Sequence, residues 1–187
     1  MTRFMNFVWV ILFLFVIPMS CRTSSNSIES LRKKADNGDV KAQMKLFYEF
    51  YEKRNEGKEN LEFAIKYLKM AAEKENPSAL NALGILYYDG YGVEKNINMA
   101  FDLHYKAAYL NHRDSQYYLS CCYYMGTGTS IDEATAYAWL IISYENGNKS
   151  AAAVMDKARL RMKSEEMEVA KRKYNIIKSL IKKDDVL

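Results

Sequence analysis

Proline is nearly missing from this chain: Pro18 and Pro77 are the only two among 187 residues. That scarcity excludes collagen-like and proline-rich disordered chains, and it permits helices packed nearly end to end. Histidine is equally rare. His104 and His112 have a spacing that matches no metal-ligand pattern, and no Gly-x-Ser-x-Gly elbow occurs. Gly126-Thr127-Gly128-Thr129-Ser130 is not a phosphate loop, because it follows a helical pattern and lacks both a third glycine and a following lysine. Cysteine is confined to Cys21, Cys121 and Cys122. The last two are neighbours in a helical pattern, about 100° apart around the axis, and cannot readily bond to each other there. A disulfide scaffold is therefore excluded, and an apolar core has to hold the body together. No cofactor and no metal is expected.

A large excess of one charge is also absent. The net charge is +4, and it is unevenly placed: residues 157–187 carry ten cations and five anions, whereas 22–156 carry sixteen and eighteen. An acidic body argues against nucleic acid. The basic stretch Lys171-Arg172-Lys173, Lys178, Lys182 and Lys183 reads as the solvated face of a capping helix, with an anionic surface as the alternative partner.

No apolar run is long enough to span a bilayer. Phe7–Ile17 would rise about 16 Å as a helix, short of a hydrocarbon core roughly 30 Å thick. With Arg3 before it, no acidic residue in the first twenty and small residues after it, the segment 1–20 reads as a secretory signal peptide. Ile17-Pro18-Met19-Ser20-Cys21 resembles the lipobox of bacterial lipoproteins, although Pro18 stands where an aliphatic residue is usual. That resemblance implies lipidation of Cys21, a polar tether over 21–27, and a periplasm-facing outer-membrane lipoprotein in the cell envelope. A soluble periplasmic protein with an incidental cysteine is the alternative.

What the chain has in plenty is tyrosine, fifteen residues, fourteen of them between Tyr48 and Tyr144. They fall in a repeat. Ala64, Ala100 and Ala136 are 36 residues apart, and a second register runs Ala42, Ala79, Ser115 with Leu46, Leu83 and Leu119 in step. Phe50, Tyr87 and Tyr123 keep that register, as do Tyr51, Tyr88 and Tyr124. Several registers held over three copies mean a solenoid in which each copy is two antiparallel helices. Gly90 and Gly92, like Gly126 and Gly128, supply the turn between the two helices. Asn60, Asn96 and Asp132 are expected to cap the second helix of each pair, and Ser164 the last helix. His104 aligns with Leu68 and Leu140 and is expected in the seam, while His112 is expected to be solvated in a turn.

These residues resemble the Sel1-like repeats, relatives of the tetratricopeptide repeats. The pattern A-x-x-x-L-G-x-x-Y-x-x-G-x-G-V is met by Ala79, Leu83, Gly84, Tyr87, Gly90, Gly92 and Val93, followed by Ala100, Leu103, Ala107 and Ala108. The third copy meets it through Leu119, Tyr123, Gly126, Gly128, Ala136 and Trp139. The expected fold is an all-α solenoid with three repeats at 37–74, 75–110 and 111–146 inside a body spanning 28–151. An N-terminal half-repeat precedes them, and capping helices with a basic tail occupy 152–187.

The resemblance implies a non-catalytic module that binds another protein through a concave groove. Residues between the packing positions of each first helix would line it: Tyr48 and Tyr51, then Asn81, Ile85 and Tyr88, then Tyr117, Cys121 and Tyr124. A narrower implication is an immunity protein that neutralises a secreted lipase-type or phospholipase-type toxin. Some cysteine-rich Sel1-like proteins have been linked to β-lactam binding, but this chain lacks the cysteine pairs of that branch, which leaves a β-lactam-binding or hydrolysing enzyme as the remote reading.

Overall fold

Every helix pair opens on a side-chain cap. Asp39, Asn76 and His112 each accept the backbone N–H three residues on, from Ala42, Ala79 and Ser115, at 2.9–3.2 Å. Asn148 closes the series by accepting from Ser150 N–H. These caps satisfy donors that a helix start leaves orphaned. His112, expected as a solvated turn residue, is thus a helix cap whose Nδ1 takes the place of a carboxamide oxygen. The computed structural model describes residues 19–181, and the side chains from residue 27. Among them the helices are α1 (Met19–Asp36), α2 (Val40–Glu52), α3 (Lys58–Glu73), α4 (Pro77–Asp89), α5 (Ile97–Tyr109), α6 (Arg113–Met125), α7 (Glu133–Glu145), α8 (Lys149–Arg161) and α9 (Ser164–Leu180). The apolar run, Pro18, the side chain of Cys21 and the end of the basic tail lie outside the described residues. The polar stretch 21–27, expected as a tether, continues the first helix.

The chain folds as an all-α solenoid in which α2 pairs with α3, α4 with α5, and α6 with α7. The registers seen in the sequence are the packing positions. Leu46, Leu83 and Leu119 are buried, as are Ala64, Ala100 and Ala136 at the crossings of the second helices. In the third set of equivalent residues Ala71 and Ala107 give way to Ser143, whose hydroxyl donates to the Arg113 carbonyl at 2.7 Å and so leaves no buried orphan. Ser115 similarly donates to Asn81 Oδ1 across neighbouring first helices.

The expected second-helix caps divide. Asn96 and Asp132 accept from Met99 and Thr135 N–H. Asn60 does not cap: α3 starts earlier, at Lys58 with Gly57 in the cap position, and Asn60 instead donates to the Lys53 carbonyl. With no paired glycines in that loop, the turn tightens through an amide bridge. Ser164 is likewise not a cap but the first residue of α9; the preceding Lys163 N–H is taken by Glu166 Oε2 at 2.8 Å.

The second glycine of each paired loop does more than turn the chain. Gly92 and Gly128 have φ of +69° and +72°, and each lies on the second helix of the preceding repeat. A Cβ on Gly92 would stand 2.5 Å from Ile65 Cδ1; on Gly128 it would meet Phe101 Cβ at 2.8 Å and the Ile97 carbonyl at 3.0 Å. The loop of one repeat is therefore part of the seam with the one before.

The C-terminal end breaks the pattern. By position α8 should be the first helix of a fourth pair and α9 its partner, yet α9 lies against α7 instead. Ile177 enters a cluster with Ala138, Trp139 and Ile142. Lys173 reaches Asp132 at 2.5 Å, and Lys178 and Tyr174 both reach Glu145. Burial works against the ionised Asp132, but the Lys173 ammonium and the Thr135 donors outweigh it and hold the carboxyl below its usual range. Part of the basic C-terminal stretch is thus neutralised within the fold. Helix α8 fully buries only Ala151, with Met155 and Ala158 partly buried against Tyr137, Leu140 and the Ala170 of α9.

His104 is a seam residue, 3% exposed, stacked on Tyr118 at 4.8 Å with its ring edge against Gly84. Burial, with a smaller push from His112, lowers its pKa to about 4. The folded state therefore binds the proton more weakly than the unfolded chain, whose imidazole titrates near 6.5. Stability contributed this way is full above pH 6.5 and is lost as pH falls toward 4, by about 3 kcal/mol across that window. His104→Leu, matching Leu68 and Leu140, should flatten the dependence of thermal stability on pH between 6.5 and 4; an unchanged slope would assign it to other groups. For the seam, Gly128→Ala should lower urea stability by about 3 kcal/mol, from left-handed strain plus overpacking. Gly38→Ala, also left-handed but with nothing within 4 Å, should lose only about 1–2 kcal/mol. Equal losses would mean that close approach at Gly128 costs nothing.

Candidate functional site

The first helices of successive pairs present the same face, 36 residues apart: Asn81 corresponds to Tyr117, Ile85 to Cys121 and Tyr88 to Tyr124. Two cavities lie along this face. One, of about 290 Å³, is lined by Ile85, Tyr88, His104, Tyr117 and Tyr118. The other, of about 510 Å³, lies between α6, α7 and α8 and is lined by Tyr124, Tyr137, Leu140, Val154, Ala158 and Met162. Both include Cys121 and Met125, so they adjoin, and together they are called the trough. Its larger end is within the size range of ordinary ligand sites.

The larger cavity opens beside the contact of α8 with its neighbours, where Met155, Ala158 and Met162 pack against a cluster of Tyr137, Leu140, Ala151 and the Ala170 of α9. The inward stripe of α8 is Val154, Lys157, Ala158, Arg161 and Met162, the i, i+3, i+4, i+7, i+8 set of a helix face. Glu133, Lys157 and Arg161 are the charged residues in this lining, and Arg161 Nη1 donates to the Tyr124 hydroxyl at 3.3 Å.

The structure brings together five of the eight expected groove residues: Ile85, Tyr88, Tyr117, Cys121 and Tyr124 all line the trough. Asn81 sits at its edge, engaged by the Ser115 hydroxyl. Tyr48 and Tyr51 lie outside both cavities. Tyr48 is 54% exposed beside Phe47. Tyr51 packs on Phe47 and Tyr91 beneath the Arg54 guanidinium, 4.4 Å from its ring. Sequence reasoning missed Met125, Tyr137 and the whole α8 wall. The periodic stripe on α8 was a usable signal, but reading that segment as a cap assigned its apolar face to packing.

Neither thiol in the lining is activated. Burial raises the Cys121 thiol above its ordinary value despite a hydrogen bond from Tyr117, and lifts Cys122 to about 11. Both are thiols, not thiolates, near neutral pH and are poor nucleophiles there. The tyrosines offer broad contact with a polar tip at low entropic cost. Among the described residues no cluster of three or more His, Cys, Asp or Glu side chains could hold a metal ion, and no helix is long and apolar enough to cross a membrane.

Comparison with known proteins agrees with this architecture. The Sel1 repeat family model matches residues 40–76, 77–112 and 113–148. A solved Sel1 repeat protein from Oxalobacter formigenes is 32% identical, with a TM-score of 0.63 over 70% of this chain and 98% of that one. A protective antigen of uropathogenic Escherichia coli strains, displaying an SLR fold, has a TM-score of 0.75 at 24% identity; it covers 84% of this chain and 33% of that one. Cysteine rich protein B of Helicobacter pylori shares the fold at 23% identity and a TM-score of 0.53, over 68% of this chain and 96% of its own. A sel1-like repeat-containing protein of Acanthamoeba polyphaga mimivirus is 46% identical over 55 residues, 29% of this chain but only 10% of that protein's length. With three consecutive repeats matched and a relative covered almost end to end, this chain belongs to the Sel1 repeat family.

Proposed function

We propose that this protein is a non-catalytic interaction module that holds a segment of a partner protein in the trough between α4, α6, α7 and α8. The observation that carries the reading is that two cavities adjoin at Cys121 and Met125, on a face that the repeat presents again and again. Tyr88 and Tyr124 are 42% and 50% exposed, so their rings are available to a partner that enters the cavities. A binding surface of this kind needs shape and contact area, not an activated nucleophile.

The place of action that fits the N-terminal sequence is the bacterial cell envelope, with the solenoid tethered through a lipid on Cys21 and facing the periplasm. A secreted toxin neutralised by capture is one partner of the expected kind.

Replacing Tyr88, Tyr124 and Met125 together by Ser should reduce recovery of the partner from envelope extract by about tenfold or more. Tyr48→Ala, at an exposed tyrosine outside the trough, should leave recovery unchanged. Equal recovery by both variants would move the binding face elsewhere. For the anchor, Cys21→Ala should release the protein from the detergent phase or block its processing; normal processing with unchanged detergent partitioning would reject lipidation.

A further inference from the structure

The two cations on the α8 wall are in a different state from those on α9. Lys173 and Lys178 are matched by Asp132 and Glu145. Lys157 and Arg161, one turn apart on the face that lines the larger cavity, have no carboxylate within 4 Å among the described residues. Asp156 and Arg159 share the helix but are not in the cavity lining. Glu133 is the single acidic lining residue, on the α7 wall, so the lining carries one net positive charge. Arg161 is additionally steadied by its hydrogen bond to Tyr124, which leaves the rest of its guanidinium fork for a second acceptor.

Resting on the trough reading above, we infer that the larger cavity takes one bulky apolar side chain of an internal partner segment, and that a neighbouring Asp or Glu of that segment pairs with Arg161 and Lys157. The apolar floor accounts for the first half. Two unmatched cations over that floor account for the second, because a carboxylate there gains charge-assisted hydrogen bonds at little reorganisation cost. A basic segment would meet both cations and be rejected.

The inference is tested by selecting random peptides, displayed as internal segments, on the full chain and on Lys157→Glu/Arg161→Glu. Wild type should enrich a large apolar residue with Asp or Glu within two positions. A synthetic, end-blocked peptide of the winning sequence should bind the charge-reversed protein about tenfold more weakly. Exchanging its acidic residue for Lys should restore binding to the reversed protein and abolish it on wild type. Ala158→Trp, which fills the cavity, should abolish binding of the acidic peptide, with thermal melts matching wild type for every variant compared. If Ala158→Trp abolishes binding but charge reversal changes it less than twofold, the acidic partner is overturned and the trough stands. If the winning peptide binds Ala158→Trp and the Tyr88/Tyr124/Met125 variant like wild type, or no peptide is enriched, the trough itself is overturned. Binding only by peptides with a free C-terminal carboxylate overturns the side-chain assignment.

Discussion

A pair of helices in this chain cannot cover its own apolar face; the next pair covers it. Helix α3 is closed by α4 and by the Gly92 loop, and α5 by α6 and the Gly128 loop. Small residues at the crossings, Ala64, Ala71, Ala100, Ala107 and Ala136, let the backbones come close enough for this. The constraint is one-dimensional, since each repeat depends on its neighbours and on little else. It also poses a problem at the end of the array, where the last face has nothing to follow it. This protein answers by folding α9 back over α7, burying Ile177 beside Trp139 and matching two lysines with two carboxylates.

That answer shapes one end of the cavity-bearing face. Helix α8 is held through Ala151, with Met155, Ala158 and Met162 packed against Tyr137, Leu140 and the Ala170 of α9, and its Val154, Lys157 and Arg161 edge the larger cavity. This end lies where the repeat stops being regular, whereas Tyr88 and Tyr124, which continue the face toward α4, are periodic.

This division explains what could be read from the amino-acid order. Registers such as Leu46, Leu83 and Leu119 were legible because the same physical demand recurs three times. Five residues that line the cavities were legible for the same reason, being positions between packing residues on equivalent helices. The α8 wall was legible only as a periodic stripe; what that stripe faces depends on packing with α7 and α9, which residues 149–161 alone do not encode. His112 escaped notice as a cap because an imidazole nitrogen seldom does the work of Asp or Asn. Only its alignment with Asp39 and Asn76 discloses the role. Tyr48 and Tyr51 obeyed the periodic rule but lie on the first copy, which has no paired-glycine loop, and they line neither of the two cavities.

Trp139 is the single tryptophan among the described residues, 1% exposed and set edge-on to Tyr109 at 5.0 Å in the cluster that Ile177 completes. It lies beneath the returning helix, whereas the trough is lined by tyrosines. In a chain with Trp9 replaced by Phe, the only indole emission then comes from beneath that helix, so the fluorescence of one residue reports whether the end of the array is closed.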